Sequence, residues 1–258
     1  MLGFNKTTRA IFAAASVMLM FFILTSCRQE EGSIEKAEDV ENEDTLYLFD
    51  YKDIILETTS SIGTEIKNCN IYLDIFGDLI ILGELENTSR TTKTDIEMTI
   101  DIMGSGDSIV HSAKIPVKTD YLRRGARYPF NYCYNDKEKY IEISKVKIGV
   151  NYRVYNDDLG GNPIAKIEEY SYQGDNLIIK GSVANIGGEK IKDLKLLCTF
   201  YDNRDKVVFI KECYLSRERM MPGEVQDFAL KVLLDSYLKE FTRFHFEIFF
   251  KDEIKVNV

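Results

Sequence analysis

The cysteine at position 27 has the sequence context of a thiol that is modified during protein export. It ends the stretch Leu24-Thr25-Ser26-Cys27, which follows an apolar run from Ile11 to Leu24 and the basic residues Lys6 and Arg9. Basic residues hold the start of such a segment on the cytoplasmic side, and small residues before the cleavage point suit a signal peptidase. The sequence therefore predicts a signal peptide over residues 1–26, with Cys27 as the first residue of the mature chain.

The Leu-Thr-Ser-Cys ending resembles the lipobox of bacterial lipoproteins, in which the cysteine thiol receives a diacylglyceryl group. The resemblance implies that Cys27 is lipidated and that two acyl chains hold the protein stably at the cell membrane. The alternative is an uncleaved membrane anchor, although residues 11–26 fall just short of the roughly 20 apolar residues that span a bilayer. Both interpretations place the rest of the chain outside the cytoplasm.

Side chains that commonly perform catalysis are few and scattered. The two histidines, His111 and His245, fall at non-equivalent points of the repeat described below, and neither has the spacing of a zinc site. Glu168 and Glu169 are adjacent, so on a strand their carboxylates point to opposite faces. No nucleophile elbow, phosphate loop or dinucleotide fingerprint occurs in the sequence. We therefore expect no enzyme, no catalytic residue, no cofactor and no metal, and we expect His245 at the surface because it alternates with apolar residues.

The cysteines after Cys27 leave two interpretations open. They are Cys69, Cys133, Cys198 and Cys213. An even number of cysteines in an exported chain is compatible with disulfides. However, none of the four has a cysteine at its repeat equivalent, and three of those equivalents are apolar. Buried thiols that act as small hydrophobic side chains are the favoured interpretation of Cys198 and Cys213.

Residues 27–44 have the composition of a disordered linker. Eight acidic and two basic side chains stand beside only Ile34 and Val40 as sizeable apolar residues. Such a segment buries too little apolar surface to offset its ordering entropy. The chain as a whole has a formal net charge of −9. This charge argues against nucleic acid as a partner, because nonspecific nucleic-acid binding needs a basic surface.

The remainder of the chain repeats itself at an offset of 98 residues. Residues Ile80–Asn87 align with Ile178–Asn185, and the register then continues without a gap. Later aligned pairs are Asp95 with Asp193, Asp107 with Asp205, Gly125 with Gly223, Phe130 with Phe228, and Ile148 with Phe246. A repeat of this length indicates tandem domains rather than a solenoid, whose units are shorter.

Each copy has the period-two alternation of β-strands. Apolar faces fall at equivalent positions, namely Ile96, Met98, Ile100 and Ile102 in the first copy and Leu194, Leu196, Cys198 and Phe200 in the second. Turn residues separate the strands, and short helical turns are predicted at 136–140 and 235–240. Six or seven short strands in roughly 90 residues predict an all-β fold class with two tandem immunoglobulin-like β-sandwich domains after the signal peptide and the disordered acidic linker.

The predicted domains span residues 68–152 and 164–258. An extra N-terminal strand segment over 45–67 is too apolar for a linker, and it either pairs as an added strand of the first domain or covers its edge. Residues 153–163 connect the two domains and are the best candidate hinge, although their short length limits relative motion.

The second copy resembles the FxLYD family of extracytoplasmic immunoglobulin-like domains. The resemblance rests on Gly181-x-Val183-x-Asn185, on Phe200-Tyr201-Asp202 at a strand end, and on Pro222-Gly223 ahead of Phe228. It is weaker in the first copy, where Met103-Gly104 and Arg124-Gly125 replace two of these elements. The resemblance implies a bacterial lipoprotein with a sandwich fold. It implies no activity, because sandwiches host many unrelated functions.

The residues that carry this resemblance have structural explanations. Gly83 and Gly181 lie mid-strand, where a missing side chain lets a large neighbour approach. Asn87 and Asn185 end the same strand, where an Asn side chain can hydrogen-bond the turn backbone. Asp202 can do the same for its turn. The alternative for Asp202 and its neighbours Asn203 and Asp205 is a calcium site, which requires six or more oxygen ligands.

These observations predict a lipid-anchored extracytoplasmic protein that works as a non-enzymatic binding or assembly module of the bacterial cell envelope. The expected partners are the membrane, through the lipid on Cys27, and an envelope protein that meets an exposed strand edge by β-augmentation. A structural spacer or a homo-oligomer subunit is the alternative from another class. A weak hydrolase or a metal-binding protein is the third possibility.

Overall fold

β-Strands make up most of the regular structure. The computed structural model describes residues 32–33, 54–59, 61–74, 76–156, 159–234 and 241–253, and within these ranges it contains fifteen strands and two short 3-10 turns. The strands are β1 (Gly32–Ser33), β2 (Ile55–Thr59), β3 (Thr64–Leu73), β4 (Leu79–Asn87), β5 (Thr92–Gly104), β6 (Ile109–Ile115), β7 (Tyr121–Leu122), β8 (Arg127–Tyr134), β9 (Ile143–Tyr155), β10 (Pro163–Gln173), β11 (Asn176–Asn185), β12 (Ile191–Tyr201), β13 (Val207–Cys213), β14 (Val225–Leu233) and β15 (Arg243–Asp252). The prediction of an all-β fold is confirmed.

The 3-10 turns span Ser105–Asp107 and Lys137–Glu142. The second of them coincides with the helical turn predicted at 136–140. The other predicted turn, at 235–240, lies outside the described residues, as do the predicted signal peptide over 1–26 and the lipidation site Cys27. Of the predicted linker over 27–44, Gly32 and Ser33 alone fall within the described residues.

The described strands form four sheets. Sheet 1 has the order β2-β9-β5-β6, with β7 also paired to β5; sheet 2 is β3-β4-β8; sheet 3 is β1-β15-β12-β13; and sheet 4 is β10-β11-β14. Neighbouring strands are antiparallel except β2 and β9, which are parallel. We call sheets 1 and 2 the first half of the molecule and sheets 3 and 4 the second half.

Each half encloses its own apolar core, because alternate residues of its strands point inward. The first core joins Ile81 and Phe130 of sheet 2 to Ile100 and Ile148 of sheet 1. The second core joins sheets 3 and 4, and includes Phe200, Phe228 and Phe246. The apolar faces predicted from period-two alternation are the faces that line these cores.

The two halves also pack on each other through sheets 2 and 3. Tyr72 and Leu82 of sheet 2 form a buried cluster with Tyr201 and Val207 of sheet 3. Phe249, on the same outward face of sheet 3, is buried against the first core. The four sheets are therefore stacked in the order 1-2-3-4, and the two inner sheets are covered on both faces.

The backbone repeats as closely as the sequence does. Aspartates Asp95 and Asp193 have φ values of 50° and 52°, and Asp107 and Asp205 both have a φ of 61°. Left-handed backbone is uncommon for residues other than glycine and is tolerated best by Asn and Asp. Its recurrence at an offset of 98 residues shows that the aligned positions are structurally equivalent.

Two expectations change because the halves pack face to face. His245 was expected at the surface, which is wrong: it is 5% exposed, since the outward face of β15 is covered by the first half. A hinge at 153–163 would have to separate sheets 2 and 3. That separation would expose the buried cluster around Tyr201 and Leu82, and each such side chain contributes about 1.5–3 kcal/mol on burial.

The extra N-terminal segment contributes a strand to the first half. Residues Ile55–Thr59 form β2, which pairs in parallel with Lys145–Gly149 of β9. Leu56 packs against the first core. Of the two interpretations of this segment, the structure shows an added strand.

Candidate functional site

The interface between sheets 2 and 3 is built by outward-facing residues that the alternation would place in solvent. On β12 and β15 these residues include Leu197, Tyr201 and Phe249, all of which contact residues of the first half. The Tyr128 ring lies edge-on to Phe249 with ring centroids 5.4 Å apart. Apolar side chains on both faces of a strand require cover on both faces. The first half supplies that cover for sheet 3.

A buried carboxylate joins the two halves. Glu84 of β4 is 0% exposed, and its Oε1 accepts a hydrogen bond of 2.5 Å from the Tyr201 hydroxyl across the interface. Its Oε2 accepts a second bond, of 2.6 Å, from Asn68 Nδ2. A buried carboxylate is tolerated when hydrogen bonds compensate for lost hydration. Burial and the neighbouring Glu84 charge raise the pKa of Tyr201 far above its usual value, so the phenol remains a donor at physiological pH.

Further hydrogen bonds cross the interface on either side of Glu84. Asn70 Nδ2 donates to the carbonyl of Val207 at 3.1 Å. The backbone N–H of Arg127 donates to Glu247 Oε2 at 3.1 Å. The Arg123 guanidinium lies 4.7 Å from the centre of the Phe250 ring, and desolvation lowers the pKa of that guanidinium. Directional contacts at several points hold one half in a fixed position on the other.

A groove runs along one side of this interface. Its larger part, of about 510 Å³, is lined by residues 117–120 of the first half and by segments of β12, β13, β15 and the loop after β13 in the second. A smaller part, of about 330 Å³, is lined by β8 residues and shares Lys118, Lys195, Glu212 and Phe249 with the larger part. Both halves contribute walls, so the groove exists only when they are packed together.

The groove combines an apolar floor with charges of both signs. Lys195 Nζ donates to the Lys118 carbonyl at 2.9 Å. Lys251 forms ion pairs with Asp120 and with Asp193, the latter at 3.1 Å. Tyr214, at the rim, is 85% exposed. Clefts that combine apolar area with a few placed polar groups are typical of binding sites.

The residues considered for chemistry lie in separate places. His111 Nε2 lies 2.5 Å from the Tyr132 hydroxyl, on the first half and away from the groove. His245 lies in the interface, with Nε2 3.5 Å from Glu247 Oε2. Glu169 forms an ion pair with Lys180 at 2.5 Å, whereas Ser182 donates to the neighbouring carboxylate of Glu168. The structure therefore does not bring these side chains together.

The turn at Asp202 uses its carboxylate for the backbone. Oδ1 accepts hydrogen bonds from the N–H groups of Arg204 and Lys206 at 2.8 and 2.9 Å. Oδ2 lies 3.3 Å from the Arg204 side chain. Asp205 pairs with Arg243 at 2.8 Å. These partners match the predicted turn-capping role of Asp202, and in the part of the chain that is described no group of three or more candidate metal ligands is found.

Cys69, Cys133, Cys198 and Cys213 all have free thiols. Cys198 and Cys213 are buried in the second core, as the small-hydrophobe interpretation predicts. Burial raises the pKa of Cys69 to about 12 and that of Cys213 to about 11. Within the described residues, no helix has the length and apolar character needed to cross a bilayer.

Sequence reasoning missed the interface and the groove. A signal was nevertheless present in the repeat: Leu197 and Phe249 stand where the first copy has Thr99 and Asn151. Outward positions that are polar in one copy and apolar in the other indicate that only one copy has its outer face covered there. The differences between the two copies at these positions therefore indicate the covered outward face of sheet 3.

Comparisons with known proteins give no family for the chain. No family model matches it, and no curated protein does. Among solved structures, the chain is similar to a red sea bream transglutaminase with 9% identity and a TM-score of 0.25, over 75% of this chain and 30% of that one. It is also similar to the tandem CBM22-1-CBM22-2 domains of Xyn10C from Paenibacillus barcinonensis, with 8% identity and a TM-score of 0.18, over 77% of this chain and 89% of that one. The chain thus spans about a third of the transglutaminase.

Proposed function

We propose that the protein is an extracytoplasmic lipoprotein, anchored through Cys27, that binds another protein of the bacterial cell envelope without catalysing a reaction. Its two halves are tandem immunoglobulin-like sandwiches of the FxLYD type. The groove between the halves is the observation that carries this proposal. Its walls come from both halves, and the Glu84–Tyr201 bond and its neighbours fix their spacing. A binding surface that is rigid before contact loses little ordering entropy when the partner arrives.

The sandwich assignment is supported by the arrangement of sheets. In each half a three-stranded antiparallel sheet faces a larger sheet across one apolar core. The three residues of the motif Phe200-Tyr201-Asp202 have three separate structural roles: Phe200 fills the core, Tyr201 bonds the other half and Asp202 caps the turn. Because each of the three residues has a structural role, the motif is explained better by the fold than by catalysis.

The proposed location of the protein at the cell membrane is tested by replacing the proposed lipidation site. The Cys27→Ala variant should accumulate as an unprocessed precursor without incorporated lipid, because the thiol that accepts the diacylglyceryl group is gone. Metabolic labelling with a radioactive fatty acid, followed by electrophoresis, measures both effects. Normal processing and labelling of that variant would contradict the lipoprotein proposal.

The binding function is tested by crosslinking in cells. A photo-crosslinking amino acid at Tyr214, on the groove rim, should capture one envelope protein in a saturable manner. The same group at Ile62, which is 96% exposed and belongs to the first half away from the groove, serves as the matched control. Capture of a second copy of the chain would favour the homo-oligomer alternative. Absence of any product from Tyr214 would contradict the binding module.

A further inference from the structure

Sheet 4 has a strand edge without a partner among the described residues. β14 lies at one side of this sheet and pairs there with β11. The Asn185 N–H donates to the carbonyl of Glu224, and the Leu234 N–H donates to that of Asp175. Hydrogen-bonded positions alternate along an antiparallel pair, so the even-numbered residues of β14 bond to β11 and the odd-numbered residues direct their N–H and C=O groups away from it. An unpaired strand edge is a template for another strand.

The side chains of these odd-numbered residues are also exposed. β14 alternates strictly between exposed positions and positions buried in the second core. The exposed residues are Val225, Asp227, Ala229, Lys231 and Leu233. Val225 is 59% exposed and Leu233 is 54% exposed. Within the described residues, neither Asp227 nor Lys231 forms an ion pair. Backbone groups, apolar side chains and charges are therefore available to one and the same partner strand.

The equivalent edge of the first half is blocked. β8 forms the edge of sheet 2, where Arg127 and Pro129 stand at the positions equivalent to Val225 and Asp227. The Arg127 N–H donates to Glu247 Oε2 of the second half at 3.1 Å, and a proline has no N–H to donate to an added strand. In β14 both N–H groups are present, and no acceptor for them lies among the described residues. The two copies therefore differ in whether this edge can pair.

The exposed residues of β14 form a chemically symmetric series. Against an antiparallel second β14 centred on Ala229, Val225 lies opposite Leu233, and Asp227 lies opposite Lys231. Apolar pairs and opposite charges directly across an antiparallel pair are favourable, whereas like charges are unfavourable. A shift of the centre to either charged residue places Asp227 opposite Asp227, or Lys231 opposite Lys231. The charges thus favour one register, and they match a second copy of the chain.

We propose that two copies of the protein associate through β14, as an antiparallel pair with its two-fold axis at Ala229. The contact joins sheet 4 of both molecules into one sheet with the order β10-β11-β14-β14-β11-β10. Because both copies use the same surface, the contact is isologous and closes after two copies. This inference goes beyond the proposed binding function, since none of the described residues that line the groove belongs to β14. Each dimer therefore presents two grooves.

Anchoring at a membrane would strengthen this association. A contact along one strand is small, and small interfaces are weak in solution. Molecules held at one surface have a higher effective concentration near one another. The contact is therefore best tested on full-length protein in intact cells, where any anchor is in place.

Cysteine crosslinking tests the contact itself. Opposed residues of a hydrogen-bonded antiparallel pair have Cα atoms about 5.5 Å apart, which suits a disulfide. Ala229→Cys should therefore give a covalent dimer when diamide accepts two electrons and two protons from the paired thiols, and a reductant should reverse it. Lys231→Cys lies opposite the second copy's Asp227, and Lys180→Cys lies on β11 beside Ala229, so neither should give a dimer. All variants also carry Cys133→Ser, because that thiol is exposed.

Charge reversal tests the register. In the Ala229→Cys background, Asp227→Lys should lower the yield of covalent dimer about tenfold, because like charges directly opposite are destabilising. Lys231→Asp should have the same effect for the same reason. The double variant D227K/K231D restores opposite charges across the pair, so its yield should return to that of the parent. Thermal unfolding of all three variants should match the parent, since both positions are exposed.

Several outcomes would overturn the proposal. They are the absence of a dimer from Ala229→Cys, an equal yield from Lys180→Cys, an unchanged yield after a single charge reversal, and failure of the double variant to recover. A disulfide from Ala229→Cys to a different protein would show that the edge accepts another chain instead. If crosslinking from Tyr214 captures an envelope protein while Ala229→Cys gives no dimer, the binding function stands and the dimer alone is wrong.

Discussion

A single asparagine organises the same turn in both halves. Asn87 Nδ2 donates to the carbonyls of Thr91 and Leu122, both at 2.8 Å. Asn185 Nδ2 donates to the equivalent carbonyls of Glu189 and Met220, at 2.8 and 3.4 Å. Both side chains are fully buried. The sequence predicted that these side chains bond turn backbone, and the structure confirms this for each copy.

Replacing Asn185 by alanine should therefore destabilise the protein. The change leaves two backbone carbonyls and the N–H of Gly187 without this partner, and each unsatisfied buried group costs roughly 1–3 kcal/mol. We expect a loss of at least about 2 kcal/mol in urea unfolding. Asn176→Ala, whose side chain makes one exposed bond to Gln173, should change stability little. Equal effects of the two variants would contradict the assigned role.

The free thiols should differ in reactivity. Cys133 is exposed, and partial desolvation of its thiol together with the nearby Asp78 charge raises its pKa. The pKa of Cys69 is raised to about 12 and that of Cys213 to about 11. A raised pKa keeps a thiol protonated at neutral pH, and the thiolate is the nucleophile.

Iodoacetamide should accordingly label Cys133 first in the native protein, with a rate that increases as pH rises through its raised pKa. Buried Cys198 and Cys213 should remain unlabelled until the protein unfolds. In urea without reductant, these three thiols and Cys69 should all react, as mass spectrometry would show. A pair that stays unlabelled in urea until a reductant is added would reveal a disulfide.

At the scale of strands, glycines in the middle of β4 and β11 allow close packing. A Cβ at Gly83 would lie 2.6 Å from Phe130 Cζ, and one at Gly181 would lie 2.8 Å from Phe228 Cζ. The added methyl at Gly181 would also overlap the carbonyl oxygen of Lys166 on β10. The prediction that these glycines admit a large core neighbour is confirmed.

Gly181→Ala should destabilise the second half, because a backbone carbonyl cannot move aside as a flexible side chain can. Overpacking of this kind costs about 1–3 kcal/mol. Gly188→Ala is the matched control, since a Cβ there meets nothing within 4 Å. Thermal unfolding of the two variants should separate them. An unchanged melting temperature for Gly181→Ala would show that β10 and β11 relax to admit the methyl group.

The sequence was sufficient to predict which strands have an inward apolar face. Period-two alternation identified that face in β5 and β12 because each has a core on one side. Alternation failed for the other face of β15, where His245 was expected in solvent and is instead buried. The period of a strand reports which residues share a face. It does not report what covers the opposite face.

On the scale of the whole molecule, the contact between sheets 2 and 3 should make the two halves unfold together. We expect a single urea transition for the wild type, because separation exposes Tyr72, Leu82, Tyr201 and Val207. Tyr201→Phe should lower stability by about 2 kcal/mol, since hydrogen bonds to charged groups contribute about 1.5–3 kcal/mol. Tyr214→Phe, at an exposed position, should have no effect. Two resolved transitions in the wild type would show that the interface does not couple the halves.

The packing of the two halves on each other was also the part of the candidate site that the sequence predicted least. The groove depends on how residues 117–120 come to lie beside β12 and β13, and these segments are far apart in sequence. They come together because the outward faces of sheets 2 and 3 pack on each other, and the sequence of neither face alone predicts this contact. The repeat and its alternation predicted the inward faces of β5 and β12, whereas the packing of sheet 2 on sheet 3 is seen only in the folded molecule.

The contact between sheets 2 and 3 also bears on polymerisation. It joins the three-stranded sheet of one repeat to the larger sheet of the next, so it is a head-to-tail contact between unlike surfaces. Such contacts build open filaments unless their rotation closes a ring. Sheets 4 and 1 are the corresponding free ends, and a second molecule could continue the stack into a filament. The free ends carry polar side chains instead: Lys180 stands at the position equivalent to Leu82 and pairs with Glu169 at 2.5 Å, and Asn151 stands at the position equivalent to Phe249. Polar side chains at these positions disfavour the addition of a further repeat through a contact like the one that joins sheets 2 and 3.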